Sequence, residues 1–304
     1  MLVLDSGVGG LGVVAELRAL RPGLPIVYLA DTAGFPYGDR PADDLARHLV
    51  SLLGRAIALA SPSLVVIACN TASVAALATL RARFDVPFVG CVPAVKWAAA
   101  LSRTRCFGLL ATPATVSRPY VADLVARFAS DCVVLSHGAG SLAALAEARF
   151  HGAAPAAARV AAELDGLLGQ PGAARIDTVV LGCTHYRLLL PELARAAPAG
   201  ITWLDPAPAV ARQAAFVLDT MASRGASRQA SRAAADVLAA AGEGSRRASG
   251  AARHGGAAVG ATAFVTAPPA RPRDLARRLL AYGFGRLRLL EGDAVAGAGD
   301  PAAW

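Results

Sequence analysis

Residues 65–73, VVIACNTAS, begin as a buried strand and end in chemistry. Val65, Val66 and Ile67 are β-branched, stiff at χ1 and suited to a pleated, covered surface. Such a run is expected to close in a bland turn or helix cap. Here it closes on a thiol, an amide and a hydroxyl, those of Cys69, Asn70 and Thr71.

The same construction recurs outward from this stretch. LVL (2–4) leads into DSGVGG, PIVYLA (25–30) into DTAGFPYG, and VPFVG (86–90) into CVPA. A second series runs CFGLLA (106–111) before TPATVS, CVVLS (132–136) before HGAGS, and TVVLG (178–182) before CTHY. Between them, stretches such as PADDLARHLVSLLGRAIALA (41–60) carry apolar residues at helical spacing. Strand, polar turn and helix in repetition predict an α/β fold with largely parallel sheets flanked by helices. Ligands of such folds bind beyond the carboxyl ends of the strands. The polar clusters fall there.

The two series also echo each other. LVVIACNT (64–71) and TVVLGCTH (178–185) share strand, small residue, cysteine and polar pair. LVLDSGVGG and GLLATPATV share a strand that enters a turn bearing Ser or Thr. Two related α/β units facing each other would each present one cysteine to one cleft. Residues 219–256 fit neither unit and read as an Ala/Ser/Arg-rich surface insert. One short helix is expected within it, around AAADVLAAA. After it, ATAFVTAPP and PRDLARRLLAYG resume strand and helix.

Composition narrows the classes. At 304 residues the chain can bury a full core and hold two domains. No run reaches 18 apolar residues, so no membrane span is expected. MLVLDSGVGG lacks the basic and apolar regions of a signal peptide, which makes cytoplasm the expected location. The net charge of +8 is almost wholly arginine, since Lys96 is the only lysine. Aromatics are scarce among the late arginines, so these read as solvated surface and no nucleic-acid partner is expected.

Gly7-x-Gly9-x-x-Gly12 after a strand, with Asp31 ending the next, suggests a dinucleotide site. Asp5 opposes it, because a carboxylate in that turn would repel the pyrophosphate. Among the five cysteines, Cys91, Cys106 and Cys132 read as small buried hydrophobes. Cys69 and Cys183 stand at strand ends, where a following helix N-terminus favours a thiolate. His185, two residues from Cys183, reads as a proton partner for that thiol. Zinc on Cys69, Cys183 and His185 would lack paired ligand spacing and a fourth ligand, so no metal is expected.

DSGVGGL (5–11), YLADTAGFPYG (28–38), ACNTAS (68–73), LLATPATVSRPY (109–120) and LGCTHY (181–186) together resemble the glutamate racemases in order and spacing. The resemblance spans nearly the whole chain outside 219–256. Related aspartate racemases share two cysteines but differ at the first motif. The resemblance implies two pseudo-symmetric α/β domains, residues 1–97 with 207–304 and residues 98–206, with the active site in the cleft between them. It implies interconversion of L- and D-glutamate without a cofactor, supplying D-glutamate for peptidoglycan. Catalysis would fall to Cys69 with Asp5 and to Cys183 with His185, supported by Glu147 in SLAALAEARFHG. Substrate contacts would fall on Asp5, Ser6, Tyr37, Gly38, Asn70, Thr71, Thr184 and His185. A homodimer is left open. The chain departs from the family pattern at Arg187, where proline is usual, and at Ala139–Gly140, where Cys-Pro is common.

The chemistry agrees with the resemblance. An α-carbon is a poor acid, and many racemases use pyridoxal phosphate as an electron sink, anchored by lysine. Lys96, in CVPAVKWAA, has no phosphate cradle nearby and reads as a structural or surface charge. Without a cofactor, the protein must supply two bases on opposite faces of the substrate and a polar pocket for the carbanionic transition state. Two thiols from facing domains meet that demand. A Cys-His amidase using Cys183 and His185 would need one cysteine only, and a binding module would need none.

Overall fold

The computed structural model describes residues 1–154, 156–240 and 261–290, with side chains described in all of these except 225–240. The strands are β1 (Leu2–Asp5), β2 (Val27–Ala30), β3 (Val65–Ile67), β4 (Phe88–Gly90) and β5 (Cys106–Ala111). They continue with β6 (Val133–Gly138), β7 (Thr178–Gly182), β8 (Thr202–Leu204), β9 (Thr262–Val265) and β10 (Arg286–Leu289). One sheet has the order β10-β9-β2-β1-β3-β4 and the other β6-β5-β7-β8. Every pairing is parallel.

Without β9 and β10 the two orders are the same, β2-β1-β3-β4 against β6-β5-β7-β8. In each sheet the second strand pairs on one side of the first and the third strand on the other. That leaves a topological switch point between β1 and β3, and another between β5 and β7. The echo between the two halves of the sequence is therefore a repeat of topology. Cys69 and Cys183 follow equivalent strands.

Local sequence explains the layers. Along β1, Leu2 and Leu4 enter one apolar cluster with Leu49, Val65 and Leu80, while Val3 enters the opposite one with Leu17 and Ala211. A strand buried on both faces has no use for polar alternation, which is why these runs read as continuous hydrophobics. The helix Ala42–Ala60 presents Leu45, Leu49, Leu52, Leu53 and Ala56 to the core. Ser61, in the left-handed region at φ 41°, ends it. The second sheet is covered likewise, by clusters around Leu110 and Val179 on one face and Phe107 and Val180 on the other.

Two expectations need correction. The helix beginning at Ala207 runs without a break to Ala240, through residues expected to be linker before AAADVLAAA. Alanine and arginine are strong helix formers, and one interior Gly225 costs about 1 kcal/mol, too little to stop a long helix. Residues 241–256 of the expected insert lie outside the described residues. β8 and β10 were not legible as strands, being a short TWL and an arginine-alternating RLRL at sheet edges. Cys132 is half-exposed, whereas Cys91 and Cys106 are buried as expected. Lys96 is exposed and lies over the Phe128 ring, 5.6 Å from its centroid. No described helix is long and apolar enough to cross a membrane.

Candidate active site

Strand register brings the chemistry to two facing edges. Leu4 pairs with Ile67, so Asp5–Ser6 and Cys69 leave the first sheet side by side. Ala111 pairs with Gly182, so Thr112 and Cys183 leave the second in the same way. Cys69 is extended (φ −92°, ψ 126°) at the N-cap of the helix Asn70–Arg83. Cys183 is extended (φ −143°, ψ 132°) before the 3-10 turn Thr184–Leu189. Both thiols line one crevice with Ser6, Tyr37, Gly38, Thr71 and His185. Its free volume is about 20 Å³, room for little more than one water. A larger cavity of about 650 Å³, which shares Phe35 with it, is walled by apolar residues such as Val8, Phe264 and Leu275 together with Glu147 and His151. We assign the chemistry to the smaller crevice, because the thiols face it.

Asp5 stands behind Cys69 and is fully buried. Its Oδ1 accepts from the Ser6 backbone N–H at 2.5 Å and from Ser6 Oγ at 3.1 Å. Its Oδ2 accepts from Thr184 Oγ1 of the other half at 2.8 Å. Burial lifts the Asp5 carboxyl above its ordinary range, against the opposing pull of His185 and Thr184. Burial and the Asp5 charge also push the Cys69 thiol well above its ordinary value. The thiolate expected at Cys69 from the helix N-terminus is therefore not its resting form. A helix end contributes a partial charge only, and here desolvation outweighs it.

The Cys183 side is built differently. His185 Nδ1 lies 3.9 Å from Cys183 Sγ, and Nε2 lies 2.9 Å from Glu147 Oε2. Glu147 also accepts from the Val8 N–H at 3.1 Å and pairs with His151 at 3.5 Å. Burial disfavours a charged His185, but its bonds to Cys183 and Glu147 and the Asp5 charge outweigh burial and raise it well above its ordinary value. Burial likewise acts against the Glu147 carboxylate, yet its histidine and backbone partners bring it down to about 2. The Phe35 ring covers His185 at 5.3 Å between centroids.

The glycine run that suggested a nucleotide site serves this packing. A Cβ on Gly9 would fall 2.5 Å from His185 Nδ1, and one on Gly7 would fall 2.6 Å from Glu147 Oε2. DSGVGG is the seat for the second half of the molecule.

The remaining sequence-selected residues are not all at the crevice surface. Thr71 faces it, its hydroxyl 3.0 Å from Thr112 Oγ1 and 3.2 Å from Thr115 Oγ1. Tyr37 is buried and turns its hydroxyl away, to Asp31. Asn70 is 1% exposed, and neither atom of its amide has a hydrogen-bond partner. A contact with the Cys91 thiol reaches it but does not satisfy it. A buried amide left unpaired costs about 1–3 kcal/mol. Among the described residues no group of three or more His, Cys, Asp or Glu side chains could hold a metal ion.

Known proteins match this arrangement. The Asp/Glu/hydantoin racemase family matches residues 12–214. The chain is 51% identical to a glutamate racemase of Granulibacter bethesdensis over 77% of its own length and 84% of the relative's. It is 46% identical to one from Sphingopyxis alaskensis, over 73% and 83% of the two chains. The fold matches the crystal structure of Escherichia coli glutamate racemase in complex with L-glutamate and the activator UDP-MurNAc-Ala. That match has a TM-score of 0.78 and 35% identity, and it covers 97% and 98% of the two chains. The chain belongs to the Asp/Glu/hydantoin racemase family.

Sequence reading passed over several groups that this racemase brings to the crevice. Phe35, Pro36, Thr112, Pro113, Gly140 and Ala143 all line it. Thr112 and Thr115 were within reach of sequence. TPATV ends β5 as DSG ends β1, and a strand-end hydroxyl at the equivalent switch point was the signal. Phe35 and Pro36 carried no such signal, because apolar residues in a loop look the same whether they wall a site or cover a core.

Proposed function

We propose that this racemase interconverts L- and D-glutamate by passing a proton between two thiols, without a cofactor. The reading rests above all on Cys69 and Cys183, which end equivalent strands of two like sheets and line one crevice. The two domains are residues 1–97 with 207–304 and residues 98–206. In support, the strands of each sheet fall within one of these divisions. The enzyme works in the cytoplasm, where free thiols persist, and supplies D-glutamate for peptidoglycan.

Each turnover takes the α-proton onto one sulfur and returns a proton to the opposite face from the other. Cys69 takes the proton of D-glutamate and Cys183 that of L-glutamate. The electron pair left on the α-carbon delocalises into the substrate carboxylate, which needs preorganised donors. Ser6, Thr71, the Asn70 amide and the backbone at Tyr37–Gly38 supply them, with Thr184 bracing Asp5 behind. Forming the Cys69 thiolate is opposed by burial and by Asp5. A substrate ammonium group beside Asp5 offsets both, so the base is activated when substrate binds. His185, held charged by Glu147, exchanges the proton of Cys183. The crevice is much smaller than glutamate, so its walls must part to admit substrate.

The test is incubation of the purified enzyme in heavy water with each enantiomer of glutamate and of aspartate, with chiral and isotopic analysis. Glutamate product carrying α-deuterium from the first turnovers, with unconverted substrate still protiated, is the expected result. Early label in recovered substrate would point to one base serving both faces. Faster turnover of aspartate would shift the substrate assignment.

A further inference from the structure

Asp31 follows β2 and has no place in the proton transfer, yet it is the focus of a second buried network. Its carboxylate is fully buried. Oδ2 accepts from Tyr37 Oη at 2.6 Å and lies 2.5 Å from His48 Nε2. Oδ1 accepts from Thr266 Oγ1 at 2.6 Å. The three partners come from separate parts of the chain: the 3-10 turn Tyr37–Asp39, the helix Ala42–Ala60 and the segment after β9. The backbone is tied at the same place, with Ala33 N–H donating to Thr266 Oγ1 at 2.9 Å and Ala267 N–H to Thr32 Oγ1 at 3.0 Å.

We infer that Asp31 is a positioning residue: it anchors the Tyr37 ring so that the Tyr37–Gly38 backbone forms one wall of the glutamate crevice. The inference rests on the proposed function for the identity of the substrate. Tyr37 is 1% exposed and its hydroxyl is committed to Asp31, so the side chain is not free to bind a ligand. What this segment offers the crevice is backbone. Gly38 meets the opposite half closely, since a Cβ there would lie 3.2 Å from Thr112 Cβ. Movement of a few tenths of an ångström at Tyr37 therefore changes the spacing between the two walls. An apolar ring in an apolar pocket would hold a loop by packing alone, with some freedom to slide. A buried carboxylate receiving bonds from three directions fixes the hydroxyl at one point and forbids sliding.

The test compares wild type with Tyr37→Phe, Asp31→Asn and the double variant. Tyr37→Phe removes one oxygen and carries the test should Asp31→Asn fold poorly. The readouts are KM and kcat for both glutamate enantiomers, and amide hydrogen exchange of peptides covering residues 34–40. Losing the anchoring bond should raise KM about tenfold while kcat changes less than about threefold. The double variant should be no worse than Asp31→Asn alone, because the bond from Tyr37 is one of those that the loss of the carboxylate charge weakens, along with the contacts to His48 and Thr266. Exchange over 34–40 should quicken, with the helix Asn70–Arg83 unchanged. The exchange measurement needs no substrate, so it decides the anchoring even if wild type proves inert toward glutamate, a result that would sink only the functional reading. Unchanged exchange at 34–40 overturns the anchoring. Quicker exchange with unchanged KM overturns its link to the crevice.

Discussion

Cys69 and Cys183 occupy equivalent strand ends but have unlike neighbours, a buried carboxyl for one and an imidazole for the other. On the proposed mechanism, the two directions of the reaction start from differently prepared sulfurs, and neither can stand in for its partner. Replacing either cysteine by alanine is expected to lower racemisation by at least about a thousandfold, near the limit of what one acid–base group contributes. A chiral assay of each purified variant checks this, and appreciable activity in either would refute the paired-thiol mechanism. The Glu147–His185 pair gives a pH prediction. Glu147 is depressed from 4.5 to about 2, so its contribution is present above pH 4.5 and is lost as pH falls toward 2. His185 is raised, so its contribution is present below its unfolded value of about 6.5 and is lost as pH rises through the folded one. The pair is worth most between these limits, with the Glu147 part about 3 kcal/mol. Denaturant melts of Glu147→Gln should show a deficit at pH 6 that falls to less than about half by pH 3. A deficit independent of pH would assign Glu147 a packing role only.

At the scale of elements, the turn after β1 shows how a sequence signal can be correct in form and misleading in meaning. Glycines at 7, 9 and 12 do allow close approach. What approaches is the Glu147–His185 pair and Arg187 from the facing half. Gly9→Ala would set a methyl 2.5 Å from His185 Nδ1 and 2.8 Å from its backbone nitrogen. Backbone cannot step aside as a flexible side chain can, so a loss of about 1–3 kcal/mol is expected. Activity should fall by far more than stability, because His185 is displaced from Cys183. Thermal melts beside rate measurements check this, and a variant with full activity would remove the close fit from the account. The strands and helices themselves were largely legible, because parallel strands buried on both faces carry unbroken apolar runs. β10 was not, since alternate arginines along an edge strand read as solvated surface. The full extent of the helix Ala207–Ala240 is not legible either, because alanine-rich, weakly patterned sequence supports helix without an apolar stripe to reveal it.

For the whole molecule, the crevice is lined from both halves, by Ser6, Cys69 and Thr71 of one and Thr112, Cys183 and His185 of the other, and on the proposed function these halves part to admit substrate. Arg187 of the second half reaches the first at Glu16, with Nη1 3.2 Å from Glu16 Oε1, and is held within its own half by Asp205 Oδ2 at 2.8 Å. These ion pairs are partly exposed, so each contributes no more than about 1 kcal/mol. Arg187→Ala should therefore quicken alkylation of Cys69 and Cys183 by iodoacetamide, by up to about fivefold, with little change in melting temperature. Unchanged labelling would show that opening does not strain this contact. The helix beginning at Ala207 joins the first core through Val210, Ala211 and Ala214, while Phe216 is already 64% exposed. Deleting about residues 222–255 behind a short Gly/Ser bridge should leave turnover within about threefold, since the core-facing turns remain. Collapse of turnover in a folded deletion would give that segment a role in function.

By itself, the sequence determined the α/β class, the pairing of two halves and the two thiols at strand ends. Each is written in local terms, as apolar runs, strand-end chemistry and repetition along the chain. Tertiary structure decided which polar groups meet. The Asp5–Thr184 bond joins residues 179 apart in the chain, and the Glu147–Val8 bond joins residues 139 apart. It also decided that Cys69 rests as a thiol and that Tyr37 faces Asp31. Desolvation and long-range pairing are set by everything packed around a group, and no window of neighbouring residues contains them.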